Sequence, residues 1–259
     1  MDQGWQTVEI DGRRFAVRQI PGPHGPELAV LRPDADVVHL RPWSLADHLA
    51  ALDRHAYHDG RAPRLVPDGL AREVLARTCA RPLAPDAAAE LAPLALWWAT
   101  GAGEDAPPPP ALRPWSSRAR ARALDTCCDP DTGALQVGRY LHAMVTATSD
   151  GALDPDALHG AAAMAALDAV VRLNAPPEHL SEGPGSDELA RATLRLGRAL
   201  GWTPAQVWAA PAREVDALLA LLERIEAPPR PTPPRPAPPP AHRGLAAYPD
   251  AVVIEVGDG

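Results

Sequence analysis

The sequence Leu-Arg-Pro-Trp-Ser occurs twice in this chain, at residues 40–44 and again at residues 112–116. At the same offset, Ala51-Leu52-Asp53 matches Ala123-Leu124-Asp125, and weaker matches continue beyond them in the same order. Matches in order over roughly 65 residues, with a tryptophan pair among them, predict an internal duplication. The fold therefore has to contain one module twice.

Each copy of the module is predicted to contain three helices. The first follows Ser44 in copy one and Ser116 in copy two, because serine can accept the free amide protons of a helix start. The second lies in the middle of each copy. The third is predicted to begin at a Pro-Asp pair, residues 85–86 and 155–156, since proline and an acid both suit a first helical turn.

Residues 1–40 predict a small antiparallel sheet. Asp11-Gly12 joins two runs of alternating polar and apolar residues, and this dipeptide favours the two-residue hairpin turn. Residues 21–26 are rich in proline and glycine and predict a loop. Two further strands are predicted at residues 27–31 and 37–40.

The C-terminal third of the chain divides into three segments. Residues 183–226 predict a helical hairpin, in which Thr203-Pro204-Ala205-Gln206 forms a capping box with proline at the first helical position. Residues 227–243 are dominated by proline and predict a polyproline II linker. Residues 244–259 contain a strand candidate, which needs the edge of a sheet in this chain or in a partner.

The predicted fold is mainly α and α+β overall, with two duplicated three-helix modules, a C-terminal helical hairpin and a small N-terminal antiparallel β-sheet. The predicted domains are the sheet at 1–40, helical repeat one at 41–106, helical repeat two at 111–178, the helical hairpin at 183–226, the Pro-rich linker at 227–243 and the C-terminal strand segment at 244–259. Trp43 and Trp115 are expected to anchor equivalent cores.

Composition and charge argue against several classes of function. The net charge of −8 disfavours a nucleic-acid partner, which usually meets a basic face. No apolar run has the ~18 residues that span a bilayer, so no membrane partner is predicted. Three cysteines make no disulfide framework and, with no recognisable signal peptide, favour the cytoplasm. No motif points to a cofactor or to a small-molecule substrate.

Three histidines raise the alternative of a metal-dependent helical enzyme. His48, His55 and His58 have aspartates nearby, and on one helix their imidazoles could share a face, as metal ligands require. The second copy has no histidine at the matching positions. We therefore expect these side chains to be solvated on the polar face of the first helix.

Two other groups of reactive or charged residues are expected to be structural. Cys127-Cys128, with His142 downstream, could supply a thiol nucleophile and a base, but nothing in the sequence places one against the other. Arg118, Arg120 and Arg122 alternate along a predicted helix and should spread around a solvated surface. No catalytic or metal-binding residue is assigned.

Two segments resemble a known class of assembly proteins. The sequence from Leu194 to Trp208, LRLGRALGWTPAQVW, resembles the helical ends of small accessory proteins from phage tails and phage-like contractile injection systems. The segment from Val38 to Ser44, a strand running into a helix, is similar to their starts. This resemblance implies a tail, baseplate or chaperone role in the assembly of a particle.

The leading hypothesis is thus a non-enzymatic structural or assembly protein of a phage tail-like or contractile injection particle, whose partners are other proteins of that assembly. The alternatives are a metal-dependent helical enzyme using His48 and His55, or a regulatory adaptor with a helix-turn-helix-like hairpin at 187–225. The residues predicted to bind a partner are Val252, Val253, Ile254, Val256, Trp202 and Trp208.

Overall fold

The computed structural model describes residues 4–23, 25–59, 61–101, 111–174 and 185–227. The fold is mainly α with a small N-terminal antiparallel sheet, which confirms the predicted class. Residues 1–222 form one compact unit, and residues 223–259 form a second, of which 223–227 are described. In the described part, no helix is both long and apolar enough to cross a membrane.

The N-terminal sheet is a four-stranded antiparallel meander in the order β1-β2-β3-β4. Its strands are β1 (Gln6–Ile10), β2 (Arg13–Gly22), β3 (Gly25–Leu31) and β4 (Val37–Leu40). The predicted hairpin is confirmed, because Asp11 and Gly12 both have positive φ, as the tight turn between β1 and β2 requires. One face of the sheet is buried through Phe15, Val17, Leu28, Val30, Val38 and Leu40.

The predicted loop at residues 21–26 is wrong, since β2 and β3 continue into it. Pro21 pairs with Pro26, and Gly22 pairs with Gly25. A proline is tolerated in a strand where its missing amide would face no neighbour. That condition holds here, because β1 does not pair beyond Val17 and β4 does not pair before Leu28.

Repeat one consists of three helices and two very short strands. The elements are α1 (Leu45–His55), β5 (Ala56–His58), β6 (Pro63–Leu65), α2 (Pro67–Thr78) and α3 (Pro85–Ala99). The helix predicted to follow Ser44 is present, and Ser44 and Asp47 form a capping box at its start. The third helix begins at the Pro-Asp pair, as predicted.

Repeat two has the same order of helices. Its elements are α4 (Ser117–Cys127), β7 (Leu135–Gln136), α5 (Val137–Ser149) and α6 (Gly160–Asn174), and β7 pairs with β5 of repeat one. The prediction that α6 begins at Pro155-Asp156 is wrong. The Pro155 carbonyl accepts the Ala46 amide at 3.0 Å, which holds this segment as a turn against α1.

The two Leu-Arg-Pro-Trp-Ser segments make the same backbone contact within their own repeats. The Arg41 amide donates to the Thr78 carbonyl at 2.9 Å, and the Arg113 amide donates to the Thr148 carbonyl at 3.0 Å. The tryptophan that follows is fully buried in both copies, as the duplication predicts. Sequence identity between the copies therefore corresponds to structural equivalence.

The C-terminal helices are α7 (Gly185–Leu200), α8 (Pro204–Ala209) and α9 (Ala212–Glu226). Thr203 and Gln206 form the predicted capping box before α8. Gly201, at the end of α7, has a φ of +71°, a conformation that glycine adopts without strain and that ends a helix readily.

The first helix of repeat one packs against the second and third helices of repeat two. α1 contacts both α5 and α6. The Gly160 amide at the start of α6 donates to the Trp43 carbonyl at 2.9 Å, and the Leu45 amide donates to the Leu158 carbonyl at 2.7 Å. The two repeats are thus interleaved.

The same junction recurs one repeat later, between α4 and the C-terminal helices. The Ala212 amide at the start of α9 donates to the Trp115 carbonyl at 3.0 Å, and the Ser117 amide donates to the Ala210 carbonyl at 2.9 Å. α4 also packs against α7. Helices α7 and α9 therefore hold the positions of a second and a third helix, and the C-terminal helices form a third repeat, for which the described residues contain no first helix.

A glycine allows the close approach of helices at both junctions. A Cβ atom on Gly138 of α5 would lie 2.3 Å from the carbonyl oxygen of Leu49 in α1. A Cβ atom on Gly185 of α7 would lie 2.4 Å from the carbonyl oxygen of Ala121 in α4. Leu49 and Ala121 occupy matching positions of the duplication, so the two crossings are equivalent.

Replacing Gly138 with alanine is expected to lower the free energy of unfolding by about 3 kcal/mol, because the new methyl group meets backbone atoms that cannot rotate away. One of these, the Asp53 nitrogen, would be 2.1 Å away. Urea unfolding followed by circular dichroism measures the effect. The control is Gly197→Ala in α7, where the new Cβ would lie 3.3 Å from the Trp202 carbonyl oxygen. This change should alter the free energy of unfolding by less than about 1 kcal/mol. Equal effects at the two sites would contradict the close-packed junction.

Candidate functional site

The core of the third repeat is open on one side. Among the described residues, the cores of the sheet with repeat one and of repeat two contain fifteen and sixteen fully buried apolar residues, whereas the third contains four. The apolar side chains that remain partly exposed around the third core are Leu189, Trp202, Trp208, Ala210, Leu218, Leu219 and Leu222. The described part of the third repeat contains no first helix, which is the element that would cover them.

Repeat two shows what normally covers the second helix. The ring of Trp115 packs edge-on against Tyr140 of α5, with 5.3 Å between ring centroids. Asn174 of α6 accepts the Trp115 amide at 3.0 Å and donates to Thr148 of α5 at 2.9 Å. Tyr140, Met144 and Thr148 thereby form a buried line along α5.

The residues of α7 that match this buried line of α5 are polar. Superposing the glycines that start the two crossings, Gly138 on Gly185, places Asp187, Arg191 and Arg195 at these three positions. Asp187 and Arg191 are exposed. Polar residues on the outer face of a last repeat are how repeat arrays end without aggregating.

The matching side of α9 has stayed apolar. Ala166 and Val170 are fully buried in α6, and their equivalents Leu218 and Leu222 in α9 are only half-buried. Next to them, Leu221 is 44% exposed. We define Leu218, Leu221 and Leu222 as the α9 stripe, the candidate protein-binding surface of this chain. The sequence predicted the helical hairpin but did not single out Leu221, since exposure of this side chain depends on the third repeat as a whole.

The two predicted partner-binding tryptophans lie beside the third core and are half-buried. The Trp208 indole nitrogen donates to the Thr193 hydroxyl at 3.1 Å, and the Arg118 guanidinium lies 4.7 Å from the centre of its ring. Much of Trp208 is therefore used within the chain, while part of Trp202 remains accessible. The other predicted residues, Val252, Val253, Ile254 and Val256, lie outside the described residues.

The prediction that the arginines of α4 are all solvated is wrong for Arg120. Its side chain is 8% exposed, and both terminal guanidinium nitrogens donate to the Asp216 carboxylate of α9, one of them at 2.6 Å. Burial disfavours the charge of Arg120, but the Asp216 hydrogen bonds and charge outweigh it and raise the arginine pKa. The pair ties the third repeat to the second.

The prediction of solvated histidines is wrong for His48, which is buried. Its Nε2 atom lies 2.9 Å from the Ala99 carbonyl oxygen, and burial lowers the pKa of the imidazole. His55 is half-buried, with Nε2 2.7 Å from a carboxylate oxygen of Glu73. The imidazole rings of His48 and His55 thus contact different groups. Over the ranges that the structure describes, no three histidine, cysteine or acidic residues are grouped as metal ligands.

The adjacent cysteines carry thiols that burial keeps protonated. Cys127 is buried and Cys128 is half-buried, and burial raises the pKa of both thiols. His142 is exposed on α5. A raised thiol pKa is the opposite of what a cysteine nucleophile requires.

Comparisons with known proteins give this chain no relative from which to transfer a function: no family model, no curated protein and no solved structure matches it.

Proposed function

We propose that this chain is a non-enzymatic structural or assembly protein that binds other proteins of a multi-subunit particle. The observation that supports this proposal is the α9 stripe, a row of leucines at helical spacing beside a core for which the structure describes no covering helix. Apolar side chains left exposed together on a helix are typical of a helix-in-groove or helix-on-helix contact with a partner. The proposed partners are proteins, with no nucleic acid, membrane or small-molecule substrate.

We further propose that the particle is phage tail-like or a contractile injection system. This part rests on the resemblance of residues 194–208 and 38–44 to accessory proteins of such particles. The first segment spans the end of α7, a capping box and α8, and the second is a strand leading into a capped helix.

The proposed compartment is the cytoplasm, where the particle would assemble, and the free thiols of Cys79, Cys127 and Cys128 suit that compartment.

The C-terminal segment 244–259 is a second proposed route to a partner, through the strand candidate that contains Val252 and Ile254. A strand that docks on a sheet edge gains affinity from main-chain hydrogen bonds. It would act independently of the α9 stripe.

A photo-crosslinking amino acid placed at Leu221 tests the proposal in the cells that produce the protein. We expect an adduct with a tube, sheath or baseplate protein. Leu96 of α3, which is 37% exposed, is the control position and should give no such adduct. The same experiment on a chain ending at residue 243 measures the contribution of the C-terminal segment. Equal adducts at both positions, or an adduct at Leu221 with a protein unrelated to any particle, would contradict the proposed function.

A further inference from the structure

The outward face of α7 carries four residues at helical spacing, Asp187, Arg191, Leu194 and Arg198, and all four are exposed. Leu194 is 62% exposed, a high value for a leucine in a helix that packs so closely on its opposite face. On that opposite face, Leu196 is fully buried in the third core. We call these four residues the α7 line.

The charges of the α7 line are ordered from acidic to basic. Asp187 lies in the first turn of the helix, Arg191 follows, and Arg198 lies in the last turn. Asp187 and Arg198 are separated by about 16 Å at a rise of 1.5 Å per residue. A second α7 running in the opposite direction would place its Arg198 against Asp187 and its Asp187 against Arg198.

We propose that α7 pairs antiparallel with α7 of a second copy of this chain, about a two-fold axis near residues 192 and 193. In this register, Leu194 of each copy lies opposite Arg191 of the other and packs on the aliphatic stem of that side chain. Arg191 already points back along its own helix, because its Nε donates to the Asp187 carbonyl at 3.3 Å. The Asp187–Arg198 ion pair and the contact of Leu194 with Arg191 each occur twice in such a dimer.

A second copy fits this line better than a parallel helix or an unordered segment. A parallel α7 would set acid against acid and arginine against arginine, and would align the two helix dipoles unfavourably. In repeat two, the equivalents of Asp187 and Arg191 are Tyr140 and Met144, which are both buried, so the first part of this face is covered by another element there. A symmetric contact also follows the commonest rule of protein assembly, in which one patch serves both partners.

This inference goes beyond the proposed function, because it concerns self-association and uses residues other than the α9 stripe. Its failure is therefore distinguishable from failure of the proposed function. A protein that stays monomeric can still cross-link through Leu221, and a dimer can form without any particle.

The test is the molar mass of the full purified chain across a wide range of concentration, measured by light scattering and sedimentation. We expect the mass to rise from the monomer value of 27.4 kDa toward twice that value. Asp187→Arg and Arg198→Asp should each weaken self-association about tenfold or more, because each turns two attractive pairs into repulsive ones. Arg172→Asp, at an exposed site on α6, is the matched control and should leave the mass unchanged.

The decisive measurement mixes the two single variants. Asp187→Arg and Arg198→Asp should each fail to pair with themselves, yet they should pair with each other, because one ion pair between them keeps its original charges and the other is rebuilt with the charges reversed. The double variant should likewise recover the association of the original chain. A chain that stays at 27.4 kDa at every concentration, or a dimer that none of these variants weakens, would overturn the proposal.

Discussion

Replacing Trp115 with alanine is expected to lower the free energy of unfolding by about 3–5 kcal/mol. The side chain is 3% exposed and fills the core of repeat two, edge-on against Tyr140. Its backbone meanwhile joins Asn174 of α6 and Ala212 of α9. Removing the indole leaves a cavity at the point where repeats two and three meet, so both should be weakened together.

Urea unfolding followed by helical circular dichroism measures this loss, and Trp5→Ala is the matched control. Trp5 is 37% exposed and stacks with Arg18 at 5.1 Å, so its removal should cost about 1 kcal/mol or less. Trp43→Ala should resemble Trp115→Ala, because Trp43 occupies the same position in repeat one. Small losses at both buried tryptophans would refute their role as core anchors, and clearly unequal losses would refute equivalent packing in the two repeats.

Replacing Asp216 with alanine should be comparably severe, with an expected loss of about 3–5 kcal/mol. The change leaves the Arg120 guanidinium buried between α4 and α9 without the carboxylate that both of its terminal nitrogens bind. Such a charge has to be dehydrated without compensation, or the third repeat has to separate from α4 to let water in. The measurement is again the free energy of unfolding.

Removing both charges should restore most of that stability. In the double variant Arg120→Met/Asp216→Leu, apolar side chains of similar size fill the space, and the loss should fall to about 1 kcal/mol or vanish. Asp168→Ala breaks an exposed ion pair with Arg172 and should cost no more than about 0.5 kcal/mol. If the double variant is no more stable than Asp216→Ala, then the buried pair itself, and not the unpaired charge, determines stability at this junction.

The parts of the fold that depend on neighbouring residues could be predicted from the sequence. The turn at Asp11-Gly12 and the helix starts at Ser44 and Thr203 follow from local geometry, and all three are present. The duplication could also be predicted, because the two Leu-Arg-Pro-Trp-Ser segments make the same backbone contacts and have the same residues.

The third repeat could not be predicted, because its equivalence lies in contacts and not in residue identity. Asp53 of α1 accepts a hydrogen bond from the side chain of Arg139, while Asp125 of α4 accepts one from the backbone amide of Ser186. The hydrogen-bond donor is thus a side chain at one junction and a backbone amide at the other, and a comparison of residue identities does not detect this equivalence.

The candidate site was harder to predict than the fold, because burial of polar residues depends on distant partners. Arg120 looks like a surface arginine until Asp216, far along the chain, is brought against it. The exposure of Leu221 depends equally on a covering helix that is not found among the described residues 185–227. Neither the burial of Arg120 nor the exposure of Leu221 can be inferred from the spacing of residues along one helix.

The interleaved helices have a consequence for how the chain matures on the ribosome. Leu45 and Leu49 of α1 belong to the same core as Met144 and Val170, so their apolar face can be covered completely only after residue 174 has left the exit tunnel. The first repeat emerges complete in sequence but unfinished in structure, and a nascent chain that stalls there presents an apolar strip to chaperones and proteases. The segment of sequence that was duplicated is therefore one repeat, whereas the smallest part of the chain that buries the apolar face of α1 spans two repeats.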